Sequence, residues 1–388
     1  MTDDAAGRAG PLTSLRVVEF AGIGPAPMCA MMLSDLGADV IRIERTTKVD
    51  IGIERPRNAD VALRGRPSVA LDLKNPDDLA CAVELTSACD AIIEGYRPGT
   101  MERLGLGPGD LQARNPKLVY GRVTGWGQTG RLAQAAGHDI NYIAITGALD
   151  AIGRAGGPPV PPLNLLGDYA GGSMLLAFGI VSAVLEARVS GRGQVVDAAM
   201  VDGASLLLAP TFGLKAAGLH GGGRGRNLLD SGAPNYDVYE CADGKYVSVG
   251  PIEPKFLRIL LDRIGLDAAG FPSLTERAQW PQARRRLSER FLTKTRDEWS
   301  RLLEGTDACV APVLSLDEAP SHPHNAQRGA HVTLAGVVQP APAPRFSRTP
   351  AAVPRPPAEM GEGLAERLAG WPLSDRLRER FLAGRRLP

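Results

Sequence analysis

Two residues able to exchange protons, His138 and Asp168, each lie inside an unusual polar string: Ala136-Gly137-His138-Asp139-Ile140-Asn141-Tyr142, and Pro161-Pro162-Leu163-Asn164-Leu165-Leu166-Gly167-Asp168-Tyr169. Both sit beside glycine and next to an apolar helical run. An imidazole gives and takes protons near neutrality, and a carboxyl group does so where its surroundings let it hold a proton. The pair therefore suits proton chemistry at carbon, and with only five histidines in 388 residues His138 is a candidate acid/base. Each residue also has a plainer use. His138 fits a buried, hydrogen-bonded histidine, and Asp168 fits a helix N-cap whose carboxylate accepts orphan amide bonds. Capping and catalysis are compatible, because a cap is held rigidly. Gly171-Gly172 would let another group approach the backbone, and helix-start amides there would polarise a substrate carbonyl. Glu253, in Gly250-Pro251-Ile252-Glu253-Pro254, opens a helix further on. It reads as an acid complementing the helix dipole or as a carboxylate orienting a histidine. Spacing alone does not join it to His138.

The elements that must hold these groups alternate. Arg16–Phe20, Asp39–Ile43, Ser68–Asp72, Ala91–Glu94 and Lys117–Val123 read as strands, and Gln194–Asp197 as another. Between them lie helical runs, Ala26–Leu36 and one opened by Asn75-Pro76-Asp77-Asp78, where Asn caps, Pro starts and acids face the dipole. The pattern predicts an α/β fold with a mostly parallel, doubly wound sheet. A long apolar helix is expected from Ala170 to about Ala187, and another over Val201–Leu208. After residue 226 the texture changes. A hairpin turns at Asp243-Gly244 between Tyr236–Cys241 and Tyr246–Val249. Helices follow near Lys255–Ile264, Pro281–Phe291 and Arg296–Leu303, the last with a capping box at Thr295 and Glu298. The length favours two domains. They are a large one over 1–217, a glycine-rich linker over 218–225 and a smaller α+β domain over 226–325. Residues 326–388 then form a proline-rich segment returning over the large domain, with a helix near Gly363–Leu368.

Basic residues recur where the parallel strands end: Arg45 past the second, Lys74 past the third, Arg97 past the fourth, and Arg103 a little further on. α/β proteins bind ligands at that edge, and several cations there suit a ligand with multiple phosphates. For any one of them, solvated surface charge is the commoner use. Gly22-Ile23-Gly24 after the first strand, with Glu44 twenty residues past Gly24, nearly matches a dinucleotide fingerprint. Pro27 replaces the third glycine and Arg45 directly follows the acid, so a nicotinamide dinucleotide is not expected. Met28, Met31, Met32 and Leu36 form a stripe suited to an adaptable pocket or to core packing.

Lys+Arg 44 against Asp+Glu 43 gives a net charge of +1, which removes any global drive toward nucleic acid or anionic membrane. The five cysteines form no C-x-x-C pair and indicate neither a disulfide frame nor a zinc site. No uninterrupted apolar run reaches the ~20 residues of a membrane helix. The polar N-terminus has no leader character, and Gly384–Pro388 is not a peroxisomal signal. A soluble, cytoplasmic protein is expected.

Taken together, Gly125-Trp126-Gly127-Gln128, the Gly137–Tyr142 string, Pro162-Leu163-Asn164-Leu165, Gly167-Asp168 and Gly193–Met200 resemble the α-methylacyl-CoA racemases of the family III CoA-transferase superfamily. The likeness runs from Pro11 to the Pro342–Ser347 segment. It implies an interlocked homodimer with a Rossmann-like large domain and a small domain. The active site would lie between the large domain of one subunit and the small domain of the other. His138 and Asp168 match the family's two acid/bases, and Glu253 matches the partner of the histidine. CoA contacts would fall on Arg45; on Leu71, Asp72, Leu73 and Lys74; on Gly95, Tyr96 and Arg97; on Arg103; and on Gly137, Asp139, Ile140, Asn141 and Tyr142. Coenzyme A enters as part of the substrate, and no other cofactor or metal is implied. Transferases of the superfamily use the aspartate as nucleophile and generally lack the histidine, so His138 favours racemisation of 2-methylacyl-CoA thioesters through an enolate. The alternative is a CoA transferase with Asp168 as nucleophile, followed by an acyl-CoA-binding protein without activity. Branched fatty, sterol-side-chain and arylpropionyl thioesters all remain open as substrates.

Overall fold

The computed structural model describes residues 8–47 and 53–382. Residues 1–7 and Gly384–Pro388, from which localisation was read, lie outside them. The chain divides into two compact units. Unit 1 comprises Met1–Thr146, Leu163–Leu207 and His324–Pro388, and unit 2 comprises Gly147–Pro162 and Leu208–Pro323.

Unit 1 is built on six parallel strands: β1 (Arg16–Phe20), β2 (Asp39–Glu44), β3 (Ser68–Ala70), β4 (Ala91–Glu94), β5 (Val119–Thr124) and β6 (Val195–Ala199). Their order is β3-β2-β1-β4-β5-β6, the doubly wound arrangement in which the winding reverses between β1 and β4. Alternate residues serve opposite faces. Val18, Phe20, Ile41, Ile43, Ile92 and Tyr120 pack with Cys81, Ala82 and Leu85 of α2 (Pro76–Ser87). Val17, Val40, Ala91, Ile93, Val119 and Val123 pack with Ala26, Ala30 and Leu33 of α1 (Pro25–Asp35) and with Leu176, Ile180 and Ala183. Strands covered on both faces need continuous apolar sequence, which is why they are legible. The cap read from sequence forms: Asn75 Oδ1 accepts from the Asp77 amide at 2.9 Å.

Two short helices, α3 (Thr100–Arg103) and α4 (Pro108–Arg114), lead from β4 to β5. Past β5 come α5 (Asp139–Ile145) and, in unit 2, the single turn α6 (Ala148–Ala151). The long apolar helix differs from expectation. It begins at Leu165 as a ten-residue π-helix, Leu165–Met174, and continues as α7 (Leu175–Ser190). Over Leu165–Ser190 it is long and apolar enough to cross a membrane by length and composition, although Asp168 and Glu186 interrupt the apolar run. Half of its most apolar window is buried inside the fold, as in a core helix. α8 (Met200–Leu207) follows β6.

The returning segment is extended through its prolines and is held by Gly65 N–H to Arg355 O at 2.9 Å and by Arg64 to Pro340 O at 2.7 Å. Its Leu364, Leu368, Trp371 and Leu373 complete the α2 face of the core.

Unit 2 carries an antiparallel sheet of β7 (Asp237–Glu240), β8 (Tyr246–Val249) and β9 (Val310–Pro312). Helices Pro254–Ile264, Trp280–Phe291 and Arg296–Leu303 pack on it around Tyr239, Val247, Leu260, Phe291 and Trp299. The glycine-rich stretch before β7 is tied down: Asn227 Oδ1 accepts from Gly221 and Gly222, and Asp230 accepts from Gly225, Asn227 and Gly232.

Candidate active site

The carboxyl ends of β1 and β4 open the crevice where doubly wound sheets bind ligands. β1 runs into Gly22-Ile23-Gly24, and Gly24 has φ 65°, the left-handed region that favours glycine. A Cβ there would lie 3.2 Å from Asp168 Oδ2, so the glycine that resembled a dinucleotide motif makes room for the carboxylate instead. Glu44, the acid such a motif would place on a ribose, is held by both Nη atoms of Arg57, at 2.7 and 3.1 Å. Burial of Glu44 opposes its charge, but the Arg57 hydrogen bonds win and hold its carboxyl below the usual range.

Asp168 is not the N-cap that its spacing suggested. Asn164 precedes the π-helix, and Asp168 lies in its first turn with its Oδ2 accepting from Asn164 Nδ2 at 3.1 Å. The wide i→i+5 coil follows from packing. Gly171 touches Gly203 and Ala204 of α8, and a Cβ on Gly172 would meet Pro25 of α1 at 3.0 Å. The group that approaches the double glycine is thus protein, not substrate. π-Helical turns are costly and collect at functional sites.

His138 is the N-cap residue of α5, solvent-exposed, with its own amide donating to Asn141 Oδ1 at 3.0 Å. The next residue, Asp139, is buried, and its Oδ2 accepts from the amides of both Gly167 and Asp168 at 2.7 Å. Those π-helix amides are therefore occupied, which corrects the expectation that they face a substrate oxygen. The amides of Asn141 and Tyr142 go to His138 O, whereas Asp139 and Ile140, in the first helical turn, have no intrahelical acceptor. The donors suited to an oxyanion thus lie beside His138.

His138 and Asp139 both act on the Asp168 carboxyl. Burial raises its affinity for a proton, Asn164 lowers it, the Asp139 charge raises it and His138 lowers it, with the net direction upward. Asp168 is thereby able to hold a proton at a pH where an ordinary carboxyl would not. Tyr142 is buried beside it, with its hydroxyl donating to Gly137 O and its ring edge-on to Trp126 at 4.8 Å. Burial, and then the charges of Asp168 and Asp139, push the phenol up to about 12, so it stays neutral.

The CoA candidates line the same edge. Glu94, buried at the end of β4, accepts from Arg122 Nε and from the Tyr96 amide, both at 2.7 Å, and so fixes the Gly95–Arg97 loop. The Arg45 guanidinium stands over the Tyr96 ring, 5.7 Å from its centroid. Arg45, Lys74, Arg97 and Arg103 are exposed, and none pairs with a carboxylate among the described residues. Asp72 Oδ1 caps the Lys74 amide at 3.0 Å and Leu73 packs on the core. Leu71 is wholly in the core and offers a ligand only its backbone. Ile140 and Asn141 are exposed on the first turn of α5.

Glu253 is the exposed N-cap residue of the Pro254–Ile264 helix in unit 2, and its side chain makes no capping bond. Unit 2 also holds a cavity of about 840 Å³ between the Ala151–Arg154 turn, Tyr236–Val238 and Cys309–Ala311. None of the candidate catalytic or CoA-binding residues lines it. Sequence reasoning missed Asn164 and the clamp made by Asp139. A polar residue four positions before Asp168 and an acid beside His138 were the signals available.

A family model for CoA-transferase family III matches residues 12–363. The chain belongs to CoA-transferase family III. Within the family it is 43% identical over 341 residues to the mouse α-methylacyl-CoA racemase, covering 88% of this chain and 87% of that one. It is 27% identical over 377 residues to the human succinyl-CoA:glutarate CoA-transferase, covering 91% and 84%. A CAIB/BAIF family protein of Brucella suis superposes with a TM-score of 0.78 at 25% identity, covering 93% of this chain and 99% of that one.

Proposed function

We propose that this family III protein interconverts (2R)- and (2S)-2-methylacyl-CoA thioesters by cofactor-independent 1,1-proton transfer, the reaction of its racemase relatives. The observation that carries this reading is the pairing of His138, at the N-cap of α5, with Asp168, on the first turn of the π-helix, the two helices being joined by Asp139. The thioester acidifies the α-hydrogen. One of the two residues takes that proton from one face, leaving a planar enolate whose oxygen accepts from the Asp139 and Ile140 amides. The other residue gives a proton to the opposite face, and the electron pair returns to carbon. A carboxyl that holds a proton beside an imidazole supplies both required states. Arg45, Lys74, Arg97 and Arg103 bind the phosphates of the CoA portion.

The proposal includes a homodimer. Met174, Phe178, Val181, Leu185 and Val189 form one exposed apolar stripe along the π-helix and α7, with Phe178 72% and Val189 87% exposed. Such a stripe calls for a partner surface. In this reading Glu253 of the partner subunit orients His138.

The test is NMR of a single-epimer 2-methylacyl-CoA in D₂O with enzyme and no free acid. Loss of the α-proton signal with growth of the other epimer is the expected result. An unchanged ester, with CoA exchange on adding a carboxylic acid and hydroxylamine trapping at Asp168, would assign transfer instead.

A further inference from the structure

Among the described residues, Asp139 is the one buried carboxylate hydrogen-bonded to the Asp168 segment. It is 4% exposed, and a Cβ on Gly167 would meet its Oδ2 at 2.7 Å, so the chain leaves Gly167 bare to admit it. Oδ2 accepts from both the Gly167 and Asp168 amides, while Oδ1 is buried with no hydrogen-bond partner among the described residues. A carboxylate kept out of water with half its acceptors unfilled is costly unless its charge has a use. A neutral asparagine oxygen would accept the same two amides.

We propose that Asp139 is a positioning residue for the reaction: its carboxylate locks the Asp168 turn onto the helix that carries His138, and its negative charge keeps the shared proton on Asp168. The inference rests on the racemase reading and deepens it. The elements packed against the π-helix carry several charged groups. α5 contributes His138 and Asp139, α1 Asp35, α8 Asp202, α7 Glu186 and Arg188, β5 Arg122 and β6 Asp197. Asp35 is paired with Arg64, Arg122 with Glu94 and Glu102, and Asp197 accepts from the Gln128 amide. The charges that act on Asp168 are Asp139 and His138.

Asp139→Asn keeps the clamp and removes the charge. With α-proton exchange followed for each epimer across pH, the limb belonging to Asp168 should move to lower pH in both directions. The rate at neutral pH in the direction where Asp168 donates should fall on the order of tenfold. KM should stay near wild type, because the phosphate-binding rim is untouched. A purely structural Asp139 would leave the profile in place, and an unmoved limb in a folded Asp139→Asn protein overturns the proposal. Asp139→Glu retains the charge but displaces the clamp by a methylene, so it should lower kcat with the limb unmoved. Wild-type kcat there overturns the positioning role, and this variant carries the test if Asp139→Asn does not fold. Carboxyl-carbon NMR titration of Asp168, assigned by its loss in Asp168→Asn, reads the same shift without turnover. It therefore separates failure of this inference from failure of the racemase reading.

Discussion

Arg42 and Arg45 stand three residues apart, one inside β2 and one just past its end, and their surroundings are opposite. Arg42 is buried against Glu19, which also takes Arg66 Nε at 2.6 Å. Arg64 on Asp35 and Arg122 on Glu94 repeat the pattern at 2.6 and 2.7 Å. Arg45, Lys74, Arg97 and Arg103, at the rim of the same sheet, have no carboxylate partner among the described residues. The first group neutralises acids inside the fold and sets loop geometry, as Arg122 does through Glu94 and Tyr96. The second keeps its charge exposed at the sheet edge. Proximity to the strand ends does not distinguish the two classes; the presence of a buried acid does.

Breaking the inner class should have the largest effect. Arg122→Met leaves Glu94 buried without its cation and should cost ~3–5 kcal/mol, read as a lower urea midpoint. Loss of stability below 1 kcal/mol would mean that Glu94 relaxes by another route. At the rim, Arg45→Ala or Arg97→Ala should leave the unfolding midpoint unmoved and raise KM for the CoA ester roughly tenfold with kcat preserved. A drop in thermal stability instead of a KM effect would place these residues in the inner class.

Glu44 with Arg57 sits between the two classes, and Glu44→Gln should cost about 1 kcal/mol at neutral pH. Its folded carboxyl is held below the ordinary value, so the contribution is complete above the unfolded pKa, near ~4.3, and is lost as pH falls through the depressed folded value. Wild type and Glu44→Gln should therefore converge in stability on acidification. The smallest effect has the opposite sign. Among the described residues no cation is bonded to Asp168, and its carboxyl is raised first by burial, so its ionised form opposes folding above that raised value. Asp168→Asn should abolish turnover while raising the melting temperature slightly at neutral pH, with the gain vanishing in acid. A lower melting temperature would show that the Asn164–Asp168 contact matters more to the fold than the charge does.

Much of the fold was legible. Arg16–Phe20, Ala91–Glu94, Tyr246–Val249 and Arg296–Leu303 fall where β-branched runs or a capping box put them, because those signals are local. The β10–β11 hairpin (His331–Leu334 with Val337–Pro340) and the Asp375–Leu382 helix lie in the returning segment, where proline-rich composition masks short periodic runs. At the site, His138 and Asp168 stood out through the company they keep. The clamp from Asp139 did not, since nothing in spacing tells an exposed helix-start acid from one turned inward.

By itself the sequence determined the parallel α/β scaffold, the two candidate acid/base residues and the cations at the strand ends, all from patterns within a few residues of chain. Only the tertiary structure decided which acids are buried, that Asp168 rides a π-helix rather than capping an α-helix, and that Asp139 ties it to the His138 helix. Those outcomes depend on Gly171 meeting Gly203 and Gly167 admitting Asp139, contacts between segments about thirty residues apart. Packing fixes which groups lose their water, and that loss sets where a proton rests.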